Sequence, residues 1–284
     1  MLPISARQWI DDHFPSGIRT CSPIRGGNIC NSYHITTHSN DHLFVKTHAS
    51  PPKGFFQAEA EGLKTIANTH CIRVPEVLSI GIDYLLMEFV AVKQVNTNFW
   101  EKLGQQLACM HSKHGPRFGF PVDNYCGETP QKNDACEDGY FFFAEYRLNY
   151  QALLARQKGF LSTREVDRIE QLGFNLPSLI PKQPASLIHG DLWAGNVVCC
   201  DNDEPMLVDP AVYRGWAEAD LAMTKLFGGF SPHFYNAYEE AGELEPDWEK
   251  RIPLYNLYHL LNHLNLFGTA YYRQVMAVLD RFID

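Results

Sequence analysis

The sequence predicts an α+β protein of two lobes, in which an antiparallel sheet with one helix precedes a mainly helical lobe. Three observations support this fold class. β-Type runs with one clear helical pattern occupy the first 90 residues, helical periodicity dominates the rest, and a polar loop separates short apolar runs at 186–209. A chain of 284 residues can form either one large domain or two lobes that share a cleft, and the change of pattern near residue 90 favours two lobes. We therefore assign residues 1–90 to an N-terminal lobe and residues 91–284 to a C-terminal lobe.

The N-terminal lobe is predicted from a strand, a turn and a helix in succession. Leu43–Lys46 is a short β-type run, and the Pro- and Gly-containing segment 51–54 after it is typical of a turn. From Phe56 to Ala67, apolar residues recur every three or four positions and form one helical face. The apolar run Leu85–Val90 is too short for a typical helix, which favours a buried strand and places the lobe boundary just after it.

The C-terminal lobe is predicted to be helical around a small group of short strands. Ser162 and Glu165 have the spacing of a capping box, which indicates a helix start. Residues 113–139 are rich in Gly, Pro, Asn and Asp, and we interpret them as a long loop. The predicted helices are 100–111, 141–158, 162–172 and most of the chain after 218, and the predicted strands are 186–189, 197–200 and 206–209.

Composition and charge narrow the classes of function. Hydrophobic residues make up 45% of the chain and charged residues 20%, as in ordinary globular proteins. The formal net charge of −9, without a Lys/Arg cluster, disfavours nucleic acid as a partner. Met1–Phe14 has the pattern of an amphipathic helix rather than a signal peptide, and no segment reaches the roughly 18 apolar residues of a membrane span. We expect a cytoplasmic protein with no membrane association, either a monomer or a weak dimer.

The eight cysteines contain no Cys-x-x-Cys pair, which makes a structural zinc site of that type improbable. Without a predicted signal peptide, we expect the thiols to be reduced. Most of them should be small buried apolar residues.

A constellation of polar residues in the C-terminal lobe has the spacing that phosphoryl transfer requires. That reaction needs a carboxylate to accept the proton of the attacking hydroxyl, and oxygen ligands for magnesium. Asp191 follows His189-Gly190 and precedes Asn196 by five residues, the arrangement of a catalytic Asp and a metal-binding Asn. Asp209, at the end of an apolar run, is the candidate second metal ligand. An isolated Asp is commonly only a turn residue, but the joint pattern favours Asp191 as the base and Asn196 and Asp209 as Mg²⁺ ligands.

The N-terminal lobe supplies candidates for binding the nucleotide. Lys46 on the predicted strand can reach the ATP phosphates, and Glu59 on the following helix can hold its ammonium group. Gly26, Gly27 and Asn28 lie about one hairpin before this strand, and their backbone amides could cover the phosphates, although two adjacent glycines also mark ordinary hairpins. Further candidates for contact with the nucleotide end the last strand of this lobe: Glu88, Phe89 and Val90.

Taken together, these motifs resemble the fructosamine-3-kinase (ketosamine-3-kinase) family. The family's fold is similar to that of aminoglycoside phosphotransferases and protein kinases, so the resemblance implies a two-lobed protein-kinase-like fold with ATP and Mg²⁺ as cofactors. Trp193 within the catalytic loop and the Phe-Gly-Gly-Phe segment at 227–230 are the most family-specific features. The matching segments are Gly26-Gly27, Phe44–Thr47, Glu59–Leu63, Leu103–His111, Arg147-Leu148, His189–Asn196, Asp209–Tyr213, Leu226–Phe230 and Tyr255–His263.

The resemblance also implies a substrate class. The family transfers the γ-phosphate of ATP to the 3-hydroxyl of a ketosamine, the adduct of a sugar and an amine, and thereby destabilises it; this is a deglycating repair activity. Trp193, Trp216 and Glu218 are candidates to contact the sugar or its amine, although core packing is an alternative for Trp193 and a structural salt bridge is an alternative for Glu218. Gly139, where the family usually has Trp, and Trp216, at a usually polar position, depart from the family pattern and bear on substrate preference.

Two other functions are compatible with the sequence. A kinase for another small hydroxyl compound, such as an aminoglycoside, choline or homoserine, would need the same phosphate chemistry. A pseudokinase that serves as a binding module is disfavoured because every expected catalytic residue is present. Some relatives carry a redox-responsive cysteine near the position of Cys30, but an ordinary strand cysteine is the alternative at this position.

Overall fold

The N-terminal part of the chain forms a five-stranded antiparallel sheet. We describe a computed structural model of the chain that covers residues 2–24 and 29–283. The candidate phosphate-covering residues Gly26, Gly27 and Asn28 lie outside these residues. The elements of the sheet and its two helices are α1 (Ile4–His13), β1 (Ile18–Ile24), β2 (Asn31–Thr37), β3 (His42–Thr47), α2 (Phe55–Ala67), β4 (Val77–Ile80) and β5 (Tyr84–Glu88).

The strand order β1-β2-β3-β5-β4 puts β3 at the centre of the sheet. Lys46 of β3 stands opposite Ser32 of β2 and Leu85 of β5, so its side chain is fixed in the sheet register. α1 covers one face of the sheet with Ala6 and Ile10, while α2 buries its apolar side against the opposite face, at Phe44, Leu85 and Met87. The predicted strand, helix and second strand of this lobe are confirmed as β3, α2 and β5.

The remainder of the chain is mainly helical. Its helices are α3 (Thr97–His111), α4 (Gly139–Phe143), α5 (Tyr150–Gln157), α6 (Thr163–Leu179), α7 (Ala217–Leu226), α8 (Pro232–Ala241), α9 (Trp248–Phe267) and α10 (Tyr272–Phe282). Short strands accompany them: β6 (His114–Gly115), β7 (Asn124–Cys126), β8 (Thr129–Gln131), β9 (Ala185–Ile188), β10 (Val197–Cys199), β11 (Pro205–Leu207) and β12 (Tyr213–Gly215).

α9 is the central helix of this part, and it is buried on nearly every side. It packs against α5, α7 and α10, while α3 packs against α8. The apolar stripe predicted from Leu254 to Leu264 lies entirely in the core. The capping box at Ser162 and Glu165 is also confirmed at the start of α6. The fold is therefore the predicted α+β arrangement of an antiparallel sheet followed by a helical lobe.

Three predicted boundaries in the helical lobe are wrong. The interpretation of 113–139 as a loop misses the β7–β8 hairpin, because strands of three residues are too short to show alternation. The predicted helix 141–158 is interrupted by a π-helical segment at Ala144–Asn149. α6 runs seven residues past its predicted end at Leu172, with Pro177 inside its last turn. Each error arises where tertiary packing, rather than local pattern, determines the end of an element.

The expectation that all cysteines are reduced is wrong for one pair. Cys71 and Cys109 form a disulfide that joins the segment after α2 to α3. The six other cysteines are free thiols. This pair was not predictable from the sequence, because residues 38 positions apart are brought together only by the packing of α3 against the end of α2 and the segment after it.

Over the described ranges 2–24 and 29–283, no helix combines the length and the apolar character needed to cross a membrane.

Candidate active site

A buried lysine links the sheet to the helical lobe. Lys46 Nζ lies 2.8 Å from both carboxylate oxygens of Glu59 on α2. It also lies 2.9 Å from Oδ1 of Asp209, which follows β11. Lys46 and Glu59 are almost inaccessible, whereas 47% of the Asp209 side chain is exposed. The structure therefore brings together Lys46, Glu59 and Asp209, three of the residues that the sequence singled out for phosphate and metal binding.

The charges of this cluster are mutually dependent. Burial alone disfavours the ammonium group of Lys46, but the carboxylates of Asp209 and Glu59 outweigh it and raise its pKa. Burial likewise raises the pKa of Glu59, and the ammonium group of Lys46 opposes this effect. Lys46 is thus held as a cation next to the exposed Asp209, where a phosphate group would need a positive charge.

The loop after β9 carries the second part of the site. Asn196 Nδ2 donates a hydrogen bond to the backbone oxygen of Asp191 at 2.8 Å and approaches its Oδ2 at 3.3 Å. These contacts engage the amide nitrogen of Asn196 and leave its oxygen as the atom that can coordinate a metal. The five-residue spacing in the sequence therefore corresponds to direct contact between the candidate base and the candidate metal ligand.

A tight backbone approach shapes this loop. Gly190 has φ +82°, and a Cβ at this position would overlap the carbonyl oxygen of Ala211. Only glycine fits such a position. Asp209 also adopts a left-handed conformation, with φ +55°, which is strained for a residue other than glycine. Strain of this kind is common at functional sites.

Asp220 on α7 holds the backbone of the loop after β9 through two hydrogen bonds. Its Oδ2 accepts a hydrogen bond from the backbone amide of His189 at 2.6 Å, and its Oδ1 accepts one from that of Gly190 at 2.9 Å. His111 on α3 lies 3.1 Å from Oδ2 of Asp220. Burial opposes ionisation, but the hydrogen bond from His111 and that from the backbone amide of Gly190 lower the pKa of Asp220. A buried carboxylate therefore fixes the two residues that precede Asp191.

His189 supports the loop that carries Asp191. Its ring is fully buried, with Nε2 2.9 Å from the backbone oxygen of Val208 and Nδ1 accepting from the amide of Asp191 at 3.2 Å. These partners require the proton on Nε2. Burial lowers the pKa of His189, which keeps the ring neutral. His189 thus connects the loop to the strand that ends near Asp209.

Asp191 lies in a desolvated position that suits a base. Burial, reinforced by the nearby charge of Asp209, raises the pKa of Asp191 to about 7, although the hydrogen bond from Asn196 opposes the shift. Its side chain is still 23% exposed. A base with a pKa near the working pH combines an available carboxylate with a useful proton affinity.

If Asp191 is the base of the reaction predicted from the sequence, this pKa makes the activity depend on pH. Below pH 7 the carboxyl group of Asp191 is mainly protonated, so kcat/KM for ATP, which reports groups of the free enzyme, should fall about tenfold per pH unit. The expected acid limb has an apparent pKa near 7. It is measured by initial rates between pH 5 and pH 9 at constant ionic strength. An acid limb near pH 4, the ordinary range of a carboxyl group, would contradict a desolvated base.

The segment between the lobes contains the other predicted nucleotide contacts. The carboxylate of Glu88 is engaged by Arg73 at 2.9 Å and by the backbone amide of Glu76 at 3.1 Å. The ring of Phe89 stacks on His34 at 3.7 Å between centroids, and Val90 is half-buried. Because the Glu88 side chain is occupied, a nucleotide contact at this residue would have to use the backbone.

Trp193 faces the solvent beside Asp191. The indole ring lies against Gly195, and there is room for it because glycine has no Cβ, which at this position would overlap the ring. The ring is 38% exposed and meets Phe227 edge to face, with centroids 6.2 Å apart. The alternative that Trp193 is a core residue is therefore wrong, and an aromatic surface lies next to the candidate base.

Trp216 and Glu218 occupy the core instead. Trp216 is 3% exposed and packs against Phe118, Phe143 and Tyr255. Glu218 is buried in an ion pair with Arg251 at 2.6 Å. The interpretation of both residues as substrate contacts is corrected, because no face of either side chain is available to a ligand. Trp216 is accommodated because neighbouring aromatic rings enclose it.

Cys30 is half-buried against the core of the N-terminal lobe. Burial raises the pKa of its thiol to about 11, and the ammonium group of Lys46 reduces the effect. Such a thiol carries little reactive thiolate at neutral pH, which disfavours the redox interpretation.

His259 was not predicted as a site residue from the sequence, although it lies in the segment Tyr255–His263, which is one of the matching motifs. His259 Nδ1 lies 4.0 Å from Oδ1 of Asp191. Its position on the apolar α9 made a core role more typical, and only the packing of α9 against the catalytic loop places it here. A histidine on an apolar helix face within a matching motif is the signal that could have identified it.

The fold and the site together define an ATP-dependent kinase. The family model for fructosamine kinase matches residues 3–284. A probable ketoamine kinase of Synechocystis sp. is 40% identical over 94% of this chain and 91% of that protein. A chloroplastic protein-ribulosamine 3-kinase of Arabidopsis thaliana is 38% identical over 98% of this chain and 87% of that protein. The chain belongs to the fructosamine kinase family.

Solved structures agree with this assignment. A candidate fructosamine-3-kinase from Thermobifida fusca is 31% identical, with a TM-score of 0.88 over 97% of each chain. An ADP-bound aminoglycoside phosphotransferase is 13% identical, with a TM-score of 0.63 over 98% of this chain and 97% of that chain. The second likeness concerns the fold alone.

Proposed function

We propose that this protein phosphorylates the 3-hydroxyl of ketosamines with ATP, and so acts in the removal of sugar adducts from amines or protein lysines. The observation that carries the proposal is the match to ketoamine and ribulosamine kinases over more than nine-tenths of the chain. The site supports it with a desolvated carboxylate beside an exposed aromatic ring. We expect the reaction to occur in the cytoplasm.

Asp191 is the proposed general base. Its carboxylate accepts the proton of the sugar hydroxyl as that oxygen forms a bond to the γ-phosphorus, and the bond from phosphorus to the oxygen of ADP breaks. Asn196 orients the carboxylate through its amide nitrogen. Asp220 fixes the backbone that carries the base. The raised pKa of Asp191 makes it a stronger proton acceptor than an exposed carboxylate.

Lys46, Asn196 and Asp209 are the proposed nucleotide and metal groups. The donor set fits Mg²⁺, a hard cation that prefers carboxylate and amide oxygens, because Asn196 has its oxygen free and Asp209 is half-exposed. When bound, Mg²⁺ neutralises charge on the transferred phosphate. Lys46 holds the phosphates and is itself held by Glu59. The backbone near Phe89 and Val90, with Gly26, Gly27 and Asn28, completes the proposed nucleotide site.

Trp193 is the proposed sugar contact. A ketosamine has an apolar sugar face that can stack on an indole ring and a secondary ammonium group that an aromatic face attracts. The exposed position of Trp193 near the base makes both contacts possible. The length of the sugar chain that fits beside this ring is the property that the substrate experiment determines.

The function is tested by mass spectrometry of products. Ribulosamine and fructosamine derivatives of lysine, free and in peptides, are incubated with enzyme and ATP, together with an aminoglycoside, choline and homoserine. We expect phosphate on the 3-position of the ketosamines only. Phosphate on a non-ketosamine alone would replace the proposed acceptor, and the absence of any product would indicate a binding module.

Removal of Asp209 should abolish the metal dependence of nucleotide binding. In Asp209→Ala, we expect the affinity for ATP with Mg²⁺ to fall at least tenfold, toward the affinity without metal, because one of two protein ligands is lost. Calorimetry with and without Mg²⁺ measures this difference. Asp201→Ala is the matched control, since Asp201 makes only a surface ion pair. A variant that retains the full response to Mg²⁺ would exclude Asp209 as a ligand.

A further inference from the structure

A second group of metal-binding side chains meets at the catalytic loop. The sulfur of Cys126, a carboxylate oxygen of Asp191 and a ring nitrogen of His259 all lie within 4.8 Å of one another. They come from three separate elements: the end of β7, the loop after β9, and α9. None of the three is a proposed ligand of Mg²⁺, so this group adjoins the proposed Mg²⁺ site through the contact between Asp191 and Asn196 but shares no ligand with it.

His259 is prepared to act as a ligand. Nδ1 of its buried ring has no hydrogen-bond partner within residues 2–24 and 29–283. A buried polar atom without a partner is costly, so its retention calls for an explanation. Burial, with a smaller effect from His263, lowers the pKa of His259 to about 3, so the ring is neutral and can present a nitrogen lone pair. This nitrogen lies 4.0 Å from Asp191 Oδ1.

Cys126 completes the group with a soft ligand. Its side chain is buried, and Asn262 Nδ2 donates a hydrogen bond to the sulfur at 3.3 Å. Burial raises the pKa of the thiol, so the thiol is protonated until a metal displaces the proton. The hydrogen bond from Asn262 would then stabilise the thiolate. Access is through Asp191, the most exposed of the three side chains.

The combination of sulfur, imidazole nitrogen and carboxylate oxygen selects zinc over magnesium. Zn²⁺ accepts all three ligand types at about 2.0–2.3 Å, whereas Mg²⁺ prefers oxygen alone. Tetrahedral coordination would draw the ligand atoms to about 3.5 Å from one another, a contraction of about 1 Å from the widest separation here. Three protein ligands leave a fourth position for water.

We propose that Cys126, Asp191 and His259 form a Zn²⁺ site whose occupation inhibits the enzyme. Coordination engages the carboxylate of Asp191, which then cannot accept the proton of the acceptor hydroxyl. Inhibition rests on the proposed function, in which Asp191 is the base, while metal binding does not. Zn²⁺ should therefore compete with the acceptor rather than with ATP, because none of its three ligands is a proposed nucleotide or Mg²⁺ group.

Cobalt provides a direct test of binding that needs no turnover. Co²⁺ added to the purified protein should bind at this site with a thiolate-to-cobalt charge-transfer band in the near ultraviolet, which excess Zn²⁺ abolishes. Cys126→Ser, which keeps the size of the side chain, and Cys126→Ala should both lose the band. Cys136→Ala, a change at another free thiol, should retain it. No band in the wild type, or an unchanged band in a folded Cys126 variant, would refute the site.

Inhibition is then measured separately. The Zn²⁺ concentration for half-inhibition should rise at least tenfold in Cys126→Ser relative to wild type, each compared with its own uninhibited rate. Equal sensitivity of the two proteins would refute the inhibitory role. If the cobalt band is present but no ketosamine is phosphorylated, the metal site stands and the proposed function fails, so the two failures are distinguishable.

Discussion

Replacement of Asp191 by Asn should lower kcat by a factor of a hundred or more while ATP binding remains within about twofold of wild type. A general base typically contributes this amount, and an amide cannot accept the proton. The carboxylate does not contact Lys46, which is held instead by Glu59 and Asp209. Initial-rate measurements with a saturating ketosamine give kcat, and calorimetry gives the affinity for ATP with Mg²⁺.

The matched control for this change is Asp201→Asn, at an exposed residue in the turn between β10 and β11. It should leave both quantities unchanged. A kcat for Asp191→Asn within tenfold of wild type would remove the general base from the mechanism. A large loss of ATP affinity would instead indicate that Asn196 has moved, since its amide contacts Asp191.

Asp220→Ala should destabilise the protein by about 3–5 kcal/mol, the usual cost of removing one member of a buried charged network. The change leaves the amides of His189 and Gly190, and the ring of His111, without their acceptor. Urea unfolding at pH 7.5 measures the free energy of unfolding. Turnover of the folded fraction should also fall, because the backbone that positions Asp191 loses its support.

Asp280→Ala is the control for this prediction, because Asp280 makes an ion pair with Arg168 at the surface. Exposed pairs of this kind contribute roughly 0–1 kcal/mol. If Asp220→Ala unfolds at the same urea concentration as this control, the carboxylate is not an anchor of the loop. Unchanged stability with lost turnover would point to a direct role of Asp220 in the reaction.

Local sequence patterns predicted the elements whose shape depends on neighbours along the chain. The apolar periodicity of α2 and the capping box of α6 predicted helices that the structure contains. The β7–β8 hairpin and the π-helical segment at Ala144–Asn149 were not predictable in this way. Both depend on packing between segments distant in sequence, and their own residues carry too short a pattern.

In the candidate site, too, some features were predictable from the sequence and others were not. The sequence predicted Lys46, Glu59, Asp191, Asn196 and Asp209 as site residues because phosphoryl transfer requires these groups in a recognisable order. It could not distinguish Trp193 from Trp216 as the exposed ring, because both lie in short loop segments beside strands. Their burial differs because aromatic neighbours surround Trp216 on every side, whereas Trp193 has a single neighbouring ring at the cleft edge.

The sequence by itself determined the reaction class and the two-lobed α+β fold, because both follow from residue types and spacings along the chain. The tertiary structure alone decided which side chains from distant parts of the chain come into contact. It placed Asp220 under the catalytic loop, joined Cys71 to Cys109, and brought His259 and Cys126 to Asp191. These contacts join residues 30 to 133 positions apart. Burial also set the pKa of Asp191 near 7, since desolvation is a property of the folded surroundings rather than of the residue.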